Sequence, residues 1–373
     1  MSLNLPSDLK AVLAQMQSHS ADLQDGDPVS PSPVMTSTYA LSGDPIPGLD
    51  FYGRNGNPMW RHVEAVIGAL EGGEAVLFPS GMAAASACLI PFLKTGDTLL
   101  IPNDGYYTVR DLAERFLKPF GIEVRYYETT KANEQDLEGV SLMWLETPSN
   151  PGLDVCDLAA LSKAAQASGT MLVADNTTMT PLGQSCLAYG VDLVIASDTK
   201  AMNGHSDILA GHVAGKSEEL LERVRLWRTK AGPIPSSLDA WLLHRGLQTL
   251  ELRLSRACDN ALALAECAKG HGAVQTVRHP HLPGDPSFEI ASKQMRAGGP
   301  LLTLYFEGKN ESVRFLAALN QATVATSFGG IHSLAERRQR WEADNHPGLV
   351  RFAAGCEPLE PLLEDFARAL DAV

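Results

Sequence analysis

The chain has 373 residues, enough for two or three domains and for a large core that needs no disulfides. Hydrophobic residues make up 45% and charged residues 20%, a globular mix that excludes a long disordered protein. Thirty Lys and Arg against 44 Asp and Glu leave a formal charge of −14, which argues against nonspecific nucleic-acid binding and against an anionic membrane as partner.

Residues 1–46 are rich in Pro, Ser and Asp (DGDPVSPSPVMTSTYALSGDPIPG) and read as an irregular arm. The start, MSLNLPSDLKAVLAQ, has no basic region followed by an apolar one, so no signal peptide is expected. From Glu74, apolar runs alternate with helical patterns: EAVLF, MAAASACLIPFL, TLLIP, VRDLAERFLKPFG, VRYYE, LMWLE, DLAALSKAAQASG, MLVAD and VDLVIAS. The longest apolar run, residues 82–93, falls short of the ~20 residues that a membrane span needs. Strands alternating with helices of this length predict βαβ units and a mostly parallel sheet covered on both faces, over residues 47–232. The chain punctuates at AGPIPSS, residues 231–237, and a long amphipathic run follows from Leu238 to Lys269. Strand-like AVQTVRH and PLLTLYFEG, then helical ESVRFLAALN and EPLLEDFARAL, predict a smaller α/β domain over 233–373. The six cysteines form no CxxC pair, which fits reduced thiols in a cytoplasmic protein.

Five segments offer chemistry. Ser197, Asp198, Thr199 and Lys200 follow directly on the apolar strand VDLVIA. A lysine there is costly unless its charge is paired or its amine is used. A Schiff base or a phosphate contact would use it; the plain alternative is a helix cap beside a surface lysine. MLVADN puts Asp175 at the end of another buried strand, where it needs a cation: a neighbouring Lys or Arg, or a protonated pyridine nitrogen. In FPSGMAAASAC, residues 78–88, a turn at Ser80-Gly81 opens an Ala-rich helix. Its free N–H groups suit a phosphate, or are simply capped by Ser80. FYGRNGNP (51–58) offers Tyr52 and the planar fork of Arg54, and WLETPSNP (144–151) presents Glu146 and Asn150.

GxGxxG, GxxxxGK[ST], HExxH and GxSxG are all missing, which weakens nicotinamide, nucleotide-hydrolysing, zincin and α/β-hydrolase readings. The ten histidines show no metal spacing, so no metal is expected; His279 and His281, flanking Pro280, read as surface loop residues.

In this order, the segments resemble the pyridoxal-phosphate enzymes of transsulfuration: cystathionine γ-synthase, β-lyase, γ-lyase and methionine γ-lyase. The resemblance runs from about Tyr52 to the C-terminus, through SGMAA (80–84), ETPSNP (146–151), ADNTTMTP (174–181), SDTKAMNGHSD (197–207), RGLQTL (245–250), SFGG (327–330) and RFAAG (351–355). It implies the fold-type I PLP-dependent transferase-like architecture, a large domain with a mostly parallel sheet plus a smaller α/β C-terminal domain. The implied cofactor is pyridoxal 5'-phosphate and the implied partner a small amino-acid substrate. By the resemblance, Lys200 carries the cofactor as an imine and Asp175 faces the pyridine nitrogen. Ser80, Gly81, Met82, Ser197 and Thr199 correspond to phosphate-binding positions. Tyr52 and Arg54 match a pair that reaches a neighbouring subunit's phosphate, which implies a shared site in a dimer and a homotetramer built from such dimers. Asn150 matches a residue near the ring hydroxyl and, with Arg351 and Ser327, the substrate side where the α-carboxylate binds. Counting back from KPFG (118–121), the ring-stacking tyrosine is Tyr106, with Tyr107 as the alternative.

Departures from the family pattern fall on the substrate side: Met59 after Asn57-Pro58, Ala201 after Lys200, Thr178 after Thr177, and His332 where Glu is usual. The implied activity is a carbon–sulfur lyase acting on cystathionine or a related sulfur amino acid by γ-elimination. Alternatives within the family are β-lyase, γ-synthase and methionine γ-lyase; outside it stand an aminotransferase-like enzyme and a nonenzymatic binding protein.

Overall fold

The alternation of strands and helices builds a seven-stranded sheet from β1 (Glu74–Phe78), β2 (Thr98–Pro102), β3 (Glu123–Tyr127), β4 (Leu142–Glu146), β5 (Met171–Asp175), β6 (Leu193–Ala196) and β7 (Gly211–Gly215). A computed structural model describes residues 3–18, 24–44, 46, 48–341 and 345–373. The strand order is β1-β7-β6-β5-β4-β2-β3, and only β7 runs antiparallel to its neighbours.

Helices follow in chain order: α1 (Ser7–Ser18), α2 (Pro58–Glu71), α3 (Gly81–Leu89), α4 (Tyr107–Leu112), α5 (Leu158–Ser168), α6 (Thr180–Gly183), α7 (Glu218–Ala231), α8 (Ser237–Leu247), α9 (Leu250–Ala268), α10 (Phe288–Gln294), α11 (Lys309–Ala318) and α12 (Leu359–Asp371). Because side chains of a strand alternate between faces, β1 sends Leu77 into one core and Val76 and Phe78 into another. The first core is closed by α1, α2, α5, α8 and the start of α9; the second by α3, α4 and α7.

The smaller sheet orders β8 (Thr276–Arg278), β9 (Leu301–Tyr305), β10 (Thr323–Val324), β11 (Leu334–Arg337) and β12 (Leu349–Ala353) as β10-β11-β12-β9-β8. Phe315 and Phe366 pack edge to face, as do Phe352 and Phe366, beneath α11 and α12.

Three expectations need correction. The arm is not irregular throughout: α1 buries Leu9, Leu13 and Met16 against the first core, because these apolar residues recur at helical spacing. Positions 1–2, 19–23 and 45 of that arm lie outside the described residues. The amphipathic run 238–269 is two helices, broken at Gln248 and Thr249. His279 is fully buried rather than on the surface, and its Nε2 lies 3.3 Å from the Gly299 carbonyl; His281 is half-buried. Among the described residues, no helix is long and apolar enough to cross a membrane.

Candidate active site

A cavity of about 400 Å³ opens where β1, β4, β5 and β6 end, at the carboxyl edge of the parallel strands. Ser80, Gly81 and Met82 enter it from the start of α3, and Asp175 from the end of β5. Ser197, Thr199 and Lys200 come from the turn after β6, Tyr106 and Tyr107 from the start of α4, and Asn150 from the turn after β4. Arg351 arrives from β12 of the smaller sheet and Ser327 from the loop before its β11. The fold thus gathers these distant segments into one site.

Lys200 Nζ donates to Ser327 Oγ at 2.7 Å and lies 5.0 Å from the centre of the Phe328 ring. Burial, with Arg351 close by, lowers the amine to about 8. Ser327 holds φ at +86°, a left-handed conformation that only the surrounding packing sustains in a non-glycine residue. Asp175 accepts from the Thr177 N–H at 2.9 Å, and Thr177 Oγ1 accepts from the Ser197 N–H at 2.8 Å. One threonine therefore ties the acid to the lysine's turn. Burial raises Asp175, while Thr177, His212 and Lys200 work to keep it charged.

Arg351 is clamped. It donates to Asn150 Oδ1 at 3.0 Å, to the Ser327 carbonyl at 2.8 Å and to Glu336 Oε1 at 2.5 Å. Burial lowers the guanidinium to about 10 against the pull of Glu336. Its Nε is buried with no acceptor among the described residues.

At the other end, Ser80 caps α3 by accepting from the Ala83 N–H at 3.1 Å. The N–H groups of Gly81 and Met82 have no acceptor in the preceding turn of helix. A Cβ at Gly81 would stand 2.6 Å from Ser197 Cβ, so only glycine lets the two loops close around this end. The Thr199 hydroxyl exchanges hydrogen bonds with Ala210, donating at 3.2 Å and accepting at 3.0 Å.

Sequence reasoning assigned no role to several residues here. Glu146, paired in register with Asp175, accepts from the Tyr106 N–H at 2.6 Å. Burial and the adjacent Asp175 push it well above the usual carboxylate range. Its position at the end of a buried strand was the available signal. Asp198 turns away from the cavity to meet fully buried His212 on β7, Oδ1 to Nδ1 at 2.7 Å; His212 Nε2 lies 3.3 Å from Glu71 Oε1. Trp341 and Arg338 also line the cavity.

Three expected residues stay outside. Tyr52 and Arg54 are exposed and stack on each other, with 5.3 Å from the guanidinium carbon to the ring centre. His332 is exposed and lines no part of the cavity.

Helix-start amides and hydroxyls at one end, a buried carboxylate and a lowered lysine amine in the middle, and a clamped arginine beyond form a donor set that fits a phosphorylated pyridine aldehyde with an amino acid beside it.

The family model for Cys/Met metabolism PLP-dependent enzymes matches residues 16–371. A Streptomyces coelicolor protein that carries the provisional name cystathionine gamma-lyase is 44% identical over 92% of this chain and 89% of its own length. The cystathionine beta-lyase of Lactococcus lactis subsp. cremoris is 35% identical over 90% of this chain and 92% of its own. The solved cystathionine gamma synthase of Xanthomonas oryzae pv. oryzae, in complex with aminoacrylate and cysteine, aligns at a TM-score of 0.92, 32% identity and 99% of both chains.

Proposed function

On the premise that the chain belongs to the Cys/Met metabolism family of PLP-dependent enzymes, we infer that it is a carbon–sulfur lyase that cleaves cystathionine or a related sulfur amino acid by γ-elimination. Membership makes pyridoxal phosphate the cofactor and a sulfur-amino-acid lyase or synthase the activity class. The γ-lyase reading is supported by 44% identity to the Streptomyces coelicolor relative, against 35% to the β-lyase relative. The observation that carries the site is the convergence of Lys200, Asp175 and Arg351 on one cavity.

When bound, the cofactor supplies an electron sink for the carbanion at the substrate's Cα. Ser80, Gly81, Met82, Ser197 and Thr199 hold its phosphate, and Lys200 anchors it. Asp175, where Thr177, His212 and Lys200 oppose the effect of burial, would hold a proton on the ring nitrogen. Arg351 takes the substrate α-carboxylate, with Ser327 and Asn150 fixing the guanidinium, and so points the Cα–H bond at Lys200. Lys200 Nζ is suited to that proton because burial lowers it to about 8, near working pH. Once free of the first proton, Lys200 would take a second from Cβ and give it to the sulfur as the Cγ–S bond breaks, so that the thiol departs neutral. Tyr106, which lines the cavity, would flank the cofactor ring and assist proton transfer, with Tyr107 packed edge-on against it at 5.3 Å between ring centres.

Because Tyr52 and Arg54 are exposed and line no part of their own cavity, we assign them to a neighbour's phosphate in a cytoplasmic homotetramer of dimers. Product analysis on cystathionine tests the reaction. Cysteine, ammonia and 2-oxobutyrate are expected; homocysteine, ammonia and pyruvate would overturn the γ-lyase reading in favour of β-elimination.

A further inference from the structure

Trp341 closes the short helical turn Arg338–Arg340 that follows β11, and it lines the cavity with 51% of its surface exposed. The ring is nonetheless fixed in place. Its Nε1–H donates to Oε2 of Glu336, a fully buried residue of β11, at 2.9 Å. Arg340 lies against the ring, with 5.3 Å from the guanidinium carbon to the ring centre. Glu336 Oε1 accepts from Arg351, so one carboxylate fixes both this indole and the arginine assigned to the substrate α-carboxylate.

Covering exposed indole surface is favourable, and a ring that is already held loses little freedom when a ligand covers it. Leu209, two residues before β7, adds a second exposed apolar side chain to the same cavity, at 64%. His332, the substrate-side position that departs most from the family pattern in charge, lines none of it. An aromatic face and an isobutyl group suit the carbon and sulfur atoms of a thioether chain, because sulfur packs favourably against aromatic rings and the chain asks for no hydrogen bond.

We propose that Trp341 is a specificity-determining residue, whose ring covers the substrate side chain beyond Cβ and selects long thioether amino acids over short ones. This rests on the reading of the cavity as a sulfur-amino-acid site with Arg351 at the α-carboxylate. The tether gives tryptophan an advantage over phenylalanine: its ring N–H fixes the indole relative to Arg351, and so relative to the substrate's Cα. A substrate without the long chain leaves the indole in water, so the preference follows chain length.

The test is binding without turnover. Glycine, alanine and norleucine, which carry no group that can leave, are titrated into the holoenzyme and read by calorimetry and by tryptophan fluorescence. The parent should bind norleucine about tenfold more tightly than alanine. Norleucine should also change the fluorescence more than glycine does, and Trp341→Phe should remove that difference. Trp341→Ala should weaken norleucine about tenfold and leave glycine unchanged, with Trp341→Phe, which keeps a ring without the tether, in between. With cystathionine as substrate, the loss in Trp341→Ala should appear chiefly in KM. If Trp341→Ala weakens glycine and norleucine equally, the indole only braces Glu336 and Arg351 and the proposal fails. If it weakens neither while Arg351→Gln abolishes glycine binding, the proposal fails but the α-carboxylate site stands. If Arg351→Gln binds glycine as the parent does, the underlying reading of the cavity fails.

Discussion

Lys200 and Ser327 stand 127 positions apart, yet the lysine amine donates to the serine hydroxyl at 2.7 Å. The bond ties the turn after β6 of the larger sheet to the loop before β11 of the smaller one. The Lys200 amine is thereby placed at the seam between the two sheets, where Arg351 also reaches across to Asn150.

On the proposed assignment, Lys200→Ala should abolish lyase turnover and the visible absorbance of the lysine-linked cofactor. No other lysine lines the cavity among the described residues, so no neighbour can replace the lost amine. A variant that retains both the absorbance and the activity would remove Lys200 from the mechanism.

The same amine carries a stability signature in the cofactor-free protein. Burial holds it at about 8 instead of 10.5, so folding penalises its protonated form. The penalty is fully present below pH 8 and fades as pH rises from 8 to 10.5, where the unfolded chain loses its proton too. At ~1.4 kcal/mol per pH unit, it amounts to about 3 kcal/mol. Cofactor-free Lys200→Met should therefore gain stability over the cofactor-free parent at pH 7, with the gain shrinking toward pH 10.5. Urea melts at several pH values would measure it; a difference that does not change with pH contradicts the lowered amine.

His212 works in the opposite direction. Burial lowers it, but Asp198 and Glu71 outweigh burial and raise it to about 10. Its proton therefore stabilises the fold fully below pH 6.5, and that contribution is lost as pH rises through 10. His212→Leu leaves two carboxylates buried without their cation and should cost about 3–5 kcal/mol at neutral pH. Adding Asp198→Asn and Glu71→Gln should recover much of the loss. Equal melting of parent and His212→Leu at pH 7 would show that the imidazole is not charged.

The strand-end residues were legible in the sequence because their signal is local. Asp175 and Lys200 each follow a short apolar run, and Ser80-Gly81 stands where a strand gives way to an Ala-rich helix. Glu336 and His212 were not legible, because their meaning lies in partners brought in by the fold: Arg351 is 15 positions from Glu336, and Glu71 is 141 from His212. Strand β7 was hidden by its composition, since GHVAG weakens any strand pattern, and Gly211 is needed where a Cβ would stand 2.6 Å from the Ser80 carbonyl oxygen. His279 looked like a loop residue, yet Gly298 leaves room for its ring; a Cβ there would come within 2.2 Å of it.

The proposed sharing of the site between subunits makes the last prediction. Tyr52 and Arg54 are exposed and line no part of their own cavity, as a pair serving a neighbour would be. Arg54→Ala should then weaken cofactor retention several-fold, because the phosphate loses a two-pronged donor. Diluting the parent until it dissociates should weaken retention in the same way. Arg54→Ala and Lys200→Ala subunits, each defective alone, should regain activity when mixed. A dimer of one of each builds one site with its own Lys200 and the Arg54 of its neighbour, and a second site lacking both. At equal mixing and full exchange, half of the dimers carry one good site of two, so recovery approaches a quarter of parental activity. Size-exclusion chromatography of differently tagged subunits verifies exchange, and turnover is then read on the same sample. Proven exchange without recovery would place Arg54 outside its neighbour's site.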